Sequence, residues 1–301
     1  MNIQIFAVTI VAAATLISGC SGSGTDMNGM NTQGQPAQVS GKVADGYLVS
    51  AVVFLDRNGN YQLDVDEPST TTDASGTYTL NVTATDIGKY PIVAMAIKGQ
   101  TVDKDTNQAV ANSYLLSMPA SAVSGTISSN FISPMSTLIR EKMAANPSMT
   151  LTDAMTQLRN QMNLPTGTNM MADYVSGSQS GANMVQFQNM HTTAQQMVGL
   201  MAGQAALVMN GTGVYMNRYH SMMASINSNM PGIAANAMNG QSMSSTFMTT
   251  MMSQIQTQLG VMPMGGGFAN YSGMFRNMTS HNSFWSNTGT PMTPMSGGMM
   301  R

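Results

Sequence analysis

Val52-Val53-Phe54-Leu55-Asp56-Arg57-Asn58-Gly59-Asn60-Tyr61-Gln62-Leu63-Asp64-Val65-Asp66-Glu67-Pro68 is the stretch on which the reading of the chain turns. A β-branched, apolar run ends abruptly in an acidic loop. Oxygen-bearing side chains stand at loop positions one, three, five, nine and twelve: Asp56, Asn58, Asn60, Asp64 and Glu67. A hard divalent cation takes six to eight oxygens from a short segment of this kind, and this spacing supplies them. Without a cation, the carboxylates of Asp56, Asp64, Asp66 and Glu67 crowd a dozen residues and repel one another.

Short strands with turn signals surround the loop. Residues 39–43 alternate apolar and small or polar side chains, Asp45-Gly46 marks a turn, and residues 49–55 read as a strand. Asp73-Ala74-Ser75-Gly76 is a second turn, followed by a strand through Tyr78 and Leu80; residues 90–97 form another apolar run. This pattern predicts a small β-sandwich. The order Gly41-x-Val43, Asp45-Gly46, Ala51-x-Val53, Asp56-x-Asn58-Gly59-Asn60, Asp64, Glu67-Pro68 and Thr72-Asp73-x-x-Gly76-x-Tyr78 resembles the prealbumin-like B-repeat modules of bacterial surface proteins. Those modules are similar to carboxypeptidase-regulatory-like and Sdr-type calcium-binding domains. The resemblance implies a non-catalytic spacer, stalk or adhesin part stiffened by calcium. It also implies the ligand set Asp56, Asn58, Asn60, Asp64 and Glu67, with Gln62 giving a backbone carbonyl. Tyr61 departs from the pattern, because calcium loops favour glycine at the sixth position. Asp103 and Asp105 form a smaller oxygen cluster that reads as a turn.

At the front of the chain, residues 3–17 are largely apolar and too short to span a bilayer comfortably. They lead into Leu16-Ile17-Ser18-Gly19-Cys20, which resembles the bacterial lipobox, and Cys20 is the only cysteine. The resemblance implies cleavage before Cys20, lipid on its thiol, and palmitate or similar acyl chains anchoring the protein to a membrane. With Cys20 so used, no disulfide is expected. Residues 1–6 lack the positive charge that usually opens such a signal, which points to a translation start further upstream. Ser21 resembles the residue found in outer-membrane-sorted lipoproteins. Residues 20–37 read as a flexible tether.

Beyond residue 130 the chemistry changes. Charged residues make up 8 % of the 301-residue chain, and after Asp173 only Arg218, Arg276 and Arg301 carry formal charge. Five of the 34 methionines precede residue 130. Two halves this different predict two domains. Ser133-Pro134 opens a helix that ends at Asn146-Pro147, and a second runs from Thr150 or Thr152 to Leu164-Pro165. Residues 184–259 predict two or three more, striped by Met190, Ala194, Met197 and Met201; by Tyr215, Tyr219, Met222, Met223 and Ile226; and by Phe247, Met248, Met251, Met252, Ile255 and Leu259. Breaks are expected at Gly211, Gly213, Pro231-Gly232, Gly240 and Gly260.

The expected architecture is thus α+β and multidomain. A signal peptide occupies 1–19, a tether 20–37, a prealbumin-like β-sandwich with its calcium loop 38–125, a Met-rich helical domain 130–260, and a flexible Met- and Gly-rich tail 261–301. A net charge of −2 excludes an electrostatic case for nucleic acid. No nucleophile elbow, zinc-protease or phosphate-loop motif occurs, and no carboxylate after Asp173 could orient a histidine, so no enzyme is expected. The expected role is a lipid-anchored module of the outer membrane or cell surface that takes calcium and contacts an envelope or surface protein. The alternative is a soft-metal lipoprotein binding copper or silver through Met262, Met264, Met292 and Met295, with His191, His220 and His281 as possible imidazole donors.

Overall fold

A computed structural model describes residues 35–125, 130–211 and 213–264. The lipobox with Cys20, most of the tether, His281 and the pair Met292 and Met295 lie outside the described residues. All described residues fall within one compact unit that begins at Gly34. The predicted boundary near 125–130 therefore separates two textures of sequence that share a single core.

Among the described residues ten strands come before the first α-helix: β1 (Pro36–Val43), β2 (Leu48–Val49), β3 (Val52–Leu55), β4 (Ser69–Thr71), β5 (Thr77–Thr83), β6 (Ile92–Ala96), β7 (Val102–Asp103), β8 (Gln108–Ala109), β9 (Tyr114–Met118) and β10 (Asn130–Ile132). Then follow α1 (Pro134–Ala145), α2 (Leu151–Gln161), α3 (Tyr174–Gly177), α4 (Met184–Gly203) and α5 (Ala205–Val208). A small hairpin, β11 (Met209–Asn210) and β12 (Gly213–Val214), precedes α6 (Met216–Ser228), α7 (Met230–Met238) and α8 (Thr246–Gly260). The chain is mixed α and β, with eight α-helices and several small sheets among the described residues.

Two sheets carry most of the β structure, in the orders β10-β1-β5 and β4-β3-β6-β9. On β5 the alternation is regular: Tyr78, Leu80 and Val82 point inward while Thr79 and Asn81 face solvent. No position of β6 or β9 is exposed, so both faces of that sheet are covered. Helix α1 lies on β9, where the hydroxyls of Ser136 and Thr137 bond to the carbonyl of Ser117 at 2.6 and 3.4 Å. Strand β10 runs parallel to β1 with Gly41 opposite Asn130. A Cβ on Gly41 would stand 1.9 Å from the Asn130 carbonyl oxygen, so only glycine permits this approach.

Helix starts follow their local signals. Ser133 and Ser136 cap α1 reciprocally, as Thr150 and Asp153 cap α2, and Pro134 takes the first turn of α1. Pro231-Gly232, expected to break a helix, lies instead in the first turn of α7, where a missing N–H costs no intrahelical bond. Just ahead of the Ser133 cap, Asn130 to Ile132 form a strand that leads directly into α1. Helix α4 buries Met190, Ala194, Met197 and Met201, and α8 buries Met248, Met251, Ile255 and Leu259, along the expected stripes. Methionine ends fill the notches in α4: a Cβ on Gly203 would meet the Met252 methyl at 2.5 Å.

Candidate metal loop and the buried charge network

The acidic loop begins where β3 leaves the sheet. Asp56 is fully buried, and its N–H donates to the Pro91 carbonyl at 3.0 Å. Its Oδ1 accepts the Asn60 N–H at 3.0 Å. Its Oδ2 accepts the Tyr61 N–H at 3.3 Å and an Arg140 guanidinium N–H at 2.7 Å. Further along, the side-chain amides of Asn58 and Asn60 both donate to Asp64 Oδ2, at 2.7 and 2.9 Å. The Oδ1 atoms of these asparagines accept the N–H groups two residues ahead, Asn60 at 3.0 Å and Gln62 at 2.7 Å. Glu67 clasps the loop: Oε1 takes the Arg57 N–H at 2.6 Å and Oε2 the Asp64 N–H at 3.1 Å. Burial holds the Glu67 carboxyl above its ordinary pKa, and the Asp56 and Asp64 charges add to this against the two N–H donors.

Of the predicted ligands, Asn58, Asn60 and Asp64 therefore meet at one oxygen. Asp56 joins them through the Asn60 backbone, and Glu67 ties the two ends together. Among the described residues no three His, Cys, Asp or Glu side chains are grouped so as to hold a metal ion. The focus of the loop is made by one carboxylate and two amides.

Tyr61 resolves the departure seen in the sequence. Its φ is +61°, the left-handed conformation that the sixth position of such a loop needs. For a bulky residue that conformation costs about 1–2 kcal/mol. The side chain offsets it, being only 2 % exposed. The Arg140 guanidinium lies 3.9 Å above the Tyr61 ring centroid, the Tyr219 ring is 4.9 Å away, and His220 meets it edge-on at 5.6 Å. The phenol donates a short hydrogen bond to Glu141 Oε1.

Glu141 also pairs with His220, with Oε2 and Nδ1 2.6 Å apart. Its own burial pushes its pKa up, but His220, the Tyr61 hydroxyl and Arg140 more than offset this and hold it below the ordinary range. For His220, burial alone depresses the imidazole, yet the Glu141 carboxylate leaves it raised. This corrects one expectation: a carboxylate does orient a histidine of the helical half, and it comes from α1, 79 residues earlier. The pair is buried beneath Tyr61 and Tyr219, where it cross-links α1, α6 and the loop.

The smaller oxygen cluster is also tied to a helix. Asp103 Oδ1 accepts the Asp105 N–H at 2.9 Å, which closes a turn as expected. Asp105 Oδ2 lies 2.6 Å from His191 Nε2 and accepts the Gln195 amide at 2.8 Å, both on α4. Beneath this turn, Asp45 is buried with the Tyr114 hydroxyl at 3.1 and 3.2 Å from its oxygens. Burial, with the Asp103 charge added, pushes its carboxyl up to about 8.

Of the methionines named as soft-metal donors, Met262 and Met264 are described, and Met292 and Met295 lie outside the described residues. The Met262 carbonyl accepts hydrogen bonds from Arg218, the Met262 side chain is partly buried against the core, and Met264 is exposed. Sequence reading missed Tyr61, Arg140, Glu141 and His220 as a unit. One signal was present: Arg140-Glu141-Lys142 places three adjacent charges in a helix whose neighbours are apolar, in a chain with few charges at all. Among the described residues, no helix is long and apolar enough to cross a membrane. Compared with protein-family models, curated proteins and solved structures, the chain matches none of them.

Proposed function

We propose that this protein is a non-catalytic, lipid-anchored module of the bacterial cell envelope whose prealbumin-like β half takes calcium in the loop 56–67. The observation that carries the calcium reading is the meeting of the Asn58 and Asn60 amides on Asp64 Oδ2, in a loop with Tyr61 left-handed at its sixth position. A divalent ion at that focus replaces amide hydrogens with a harder partner and relieves repulsion among four carboxylates. The Gln62 carbonyl, Asp56 and Glu67 complete the proposed oxygen set. The anchor reading rests on Leu16-Ile17-Ser18-Gly19-Cys20. The outer membrane or cell surface is the proposed location, and an envelope or surface protein the proposed partner.

Calcium should raise the melting temperature of the full chain. With a dissociation constant of order 10⁻⁴ to 10⁻³ M, as in extracellular modules, a tenfold excess of calcium stabilises by about 1.4 kcal/mol. Asp64→Ala should remove the rise. An unchanged melting temperature at about 10 mM calcium would reject the metal reading. A Cys20→Ser chain that still fractionates with membranes would reject the anchor.

A further inference from the structure

The hairpin that carries the second acidic turn is held lightly. Strands β7 and β8 pair over two residues each, at the edge of the sheet β2-β7-β8, and both residues of β8 are exposed. Beyond the strand pairing, the turn is fixed by the Lys104 N–H on the Tyr47 carbonyl at 2.9 Å and by the contacts of Asp105 with His191 and Gln195 of α4. Few bonds and much exposed backbone are what let a segment open without the rest of the fold.

Under this turn the carboxyls crowd. A Cβ on Gly46 would stand 2.5 Å from Asp103 Oδ1 and 2.7 Å from Asp105 Oδ2, so both side chains close over the residue next to Asp45. Asp45 itself is buried. It meets the Tyr114 hydroxyl from β9, Asp103 and Asp105 from the turn, and Tyr174 from α3, whose hydroxyl donates to the neighbouring Ala44 carbonyl at 3.0 Å. The cations of the adjoining segments are engaged elsewhere. His191 of α4 sits on Asp105, Lys42 of β1 is bonded to Asp173 and to the Tyr47 hydroxyl, and Lys104 is exposed. Once ionised, Asp45 is a third carboxylate in a space that offers it one phenol and a backbone N–H.

We propose that the turn 103–107 is a proton-operated lid: it lies closed against α4 while Asp45 is neutral and lifts when Asp45 ionises. Lifting carries the Asp103 and Asp105 charges away, admits water to the new carboxylate, and frees His191 and Gln195 on α4. The closed lid holds the Asp45 proton up to about pH 8, whereas a hydrated carboxyl under a lifted lid releases it near its ordinary value of 3.8. Between those values the closed form binds one proton more than the open form. The open population therefore grows with pH by up to about tenfold per unit, and it levels off above about pH 8.

Hydrogen exchange of the full chain across this pH window, with the intrinsic exchange rates divided out, tests the lid. Amides of residues 102–110 should be less protected than those of β3 and β6, and their protection should fall by about tenfold per pH unit until it levels off. Asp45→Asn still accepts from Tyr114 and cannot ionise, so protection of the turn should stay flat with pH. His191→Gln loosens the grip on α4 and leaves Asp45 in place. It should lower protection of the turn at every pH and keep the slope. That variant separates Asp45 from the imidazole as the titrating group, and it keeps the test available if Asp45→Asn folds poorly. Protection in the turn equal to that of β3 and β6 throughout would mean that the hairpin opens only with the whole fold, and would overturn the lid. So would low but pH-independent protection in the native chain, a slope that survives in Asp45→Asn, or a slope that disappears in His191→Gln.

Discussion

Two acidic turns reach from the β layer toward the helices, and they are handled differently. The turn at 56–67 meets α1 with a buried Asp56 and a guanidinium 2.7 Å away. The turn at 103–107 meets α4 through Asp105 and His191, both partly exposed, and it lies over Asp45, a buried carboxyl that accepts from the Tyr114 hydroxyl and has no cation beside it among the described residues. The first turn neutralises its buried charge. The second avoids the problem by leaving Asp45 protonated across the neutral range. Residue type alone does not separate the turns, since both draw oxygens from Asp and Asn and both carry one basic residue. The partner arriving from the other half of the chain separates them.

Removing that partner should break the contrast most sharply. Arg140→Met leaves Asp56 buried with no counter-charge and should cost about 3–5 kcal/mol in urea denaturation. The matching change at the second turn, His191→Gln, should cost about 1 kcal/mol or less, because its contact with Asp105 is partly solvated. Equal losses at the two sites would mean that burial of the first pair carries no special weight.

Asp45→Asn sharpens the other side of the comparison. The folded Asp45 holds a proton up to about pH 8, whereas the unfolded residue loses it near its ordinary value of 3.8. Between those values the folded chain binds a proton that the unfolded chain has released, so stability falls as pH rises through that window. Asparagine stays neutral and can still accept from Tyr114. The variant should match the native chain near pH 4 and exceed it by about 5 kcal/mol at pH 9. A gap that does not grow with pH would place the cost of Asp45 elsewhere.

Lys142, two residues beyond Arg140, is a buried cation with no hydrogen-bond or ion-pair partner among the described residues. Burial alone lowers its ammonium to about 8 from an ordinary 10.5. Here the unfolded chain keeps the extra proton between those values, so stability rises with pH across them. Lys142→Met should therefore stabilise the fold at pH 7 by about 1–2 kcal/mol, with the gain fading by pH 10.5. A loss of stability at pH 7 would show that the amine is satisfied in the native fold.

What could be read in advance is local. The capping boxes at Ser133 and Thr150, the apolar stripes of α4, α6 and α8, and the alternation of β5 each depend on residues a few positions apart. The loop spacing is of the same kind, since Asn58, Asn60 and Asp64 lie within seven residues of one another. It could not foretell that Asp56 faces Arg140, because those residues are 84 positions apart. For the same reason, the abrupt change in composition near residue 130 looked like a domain boundary. The described residues on both sides in fact share one core.

The sequence by itself determined where helices start, which faces are apolar, and that an oxygen-rich loop follows β3, since backbone sterics and side-chain periodicity act over one or two turns of chain. Only the tertiary structure decided how the buried charges are paired and why a tyrosine occupies the sixth loop position. Removing a charge from water is tolerable only where an opposite group arrives through space, and that arrival depends on how the whole chain closes.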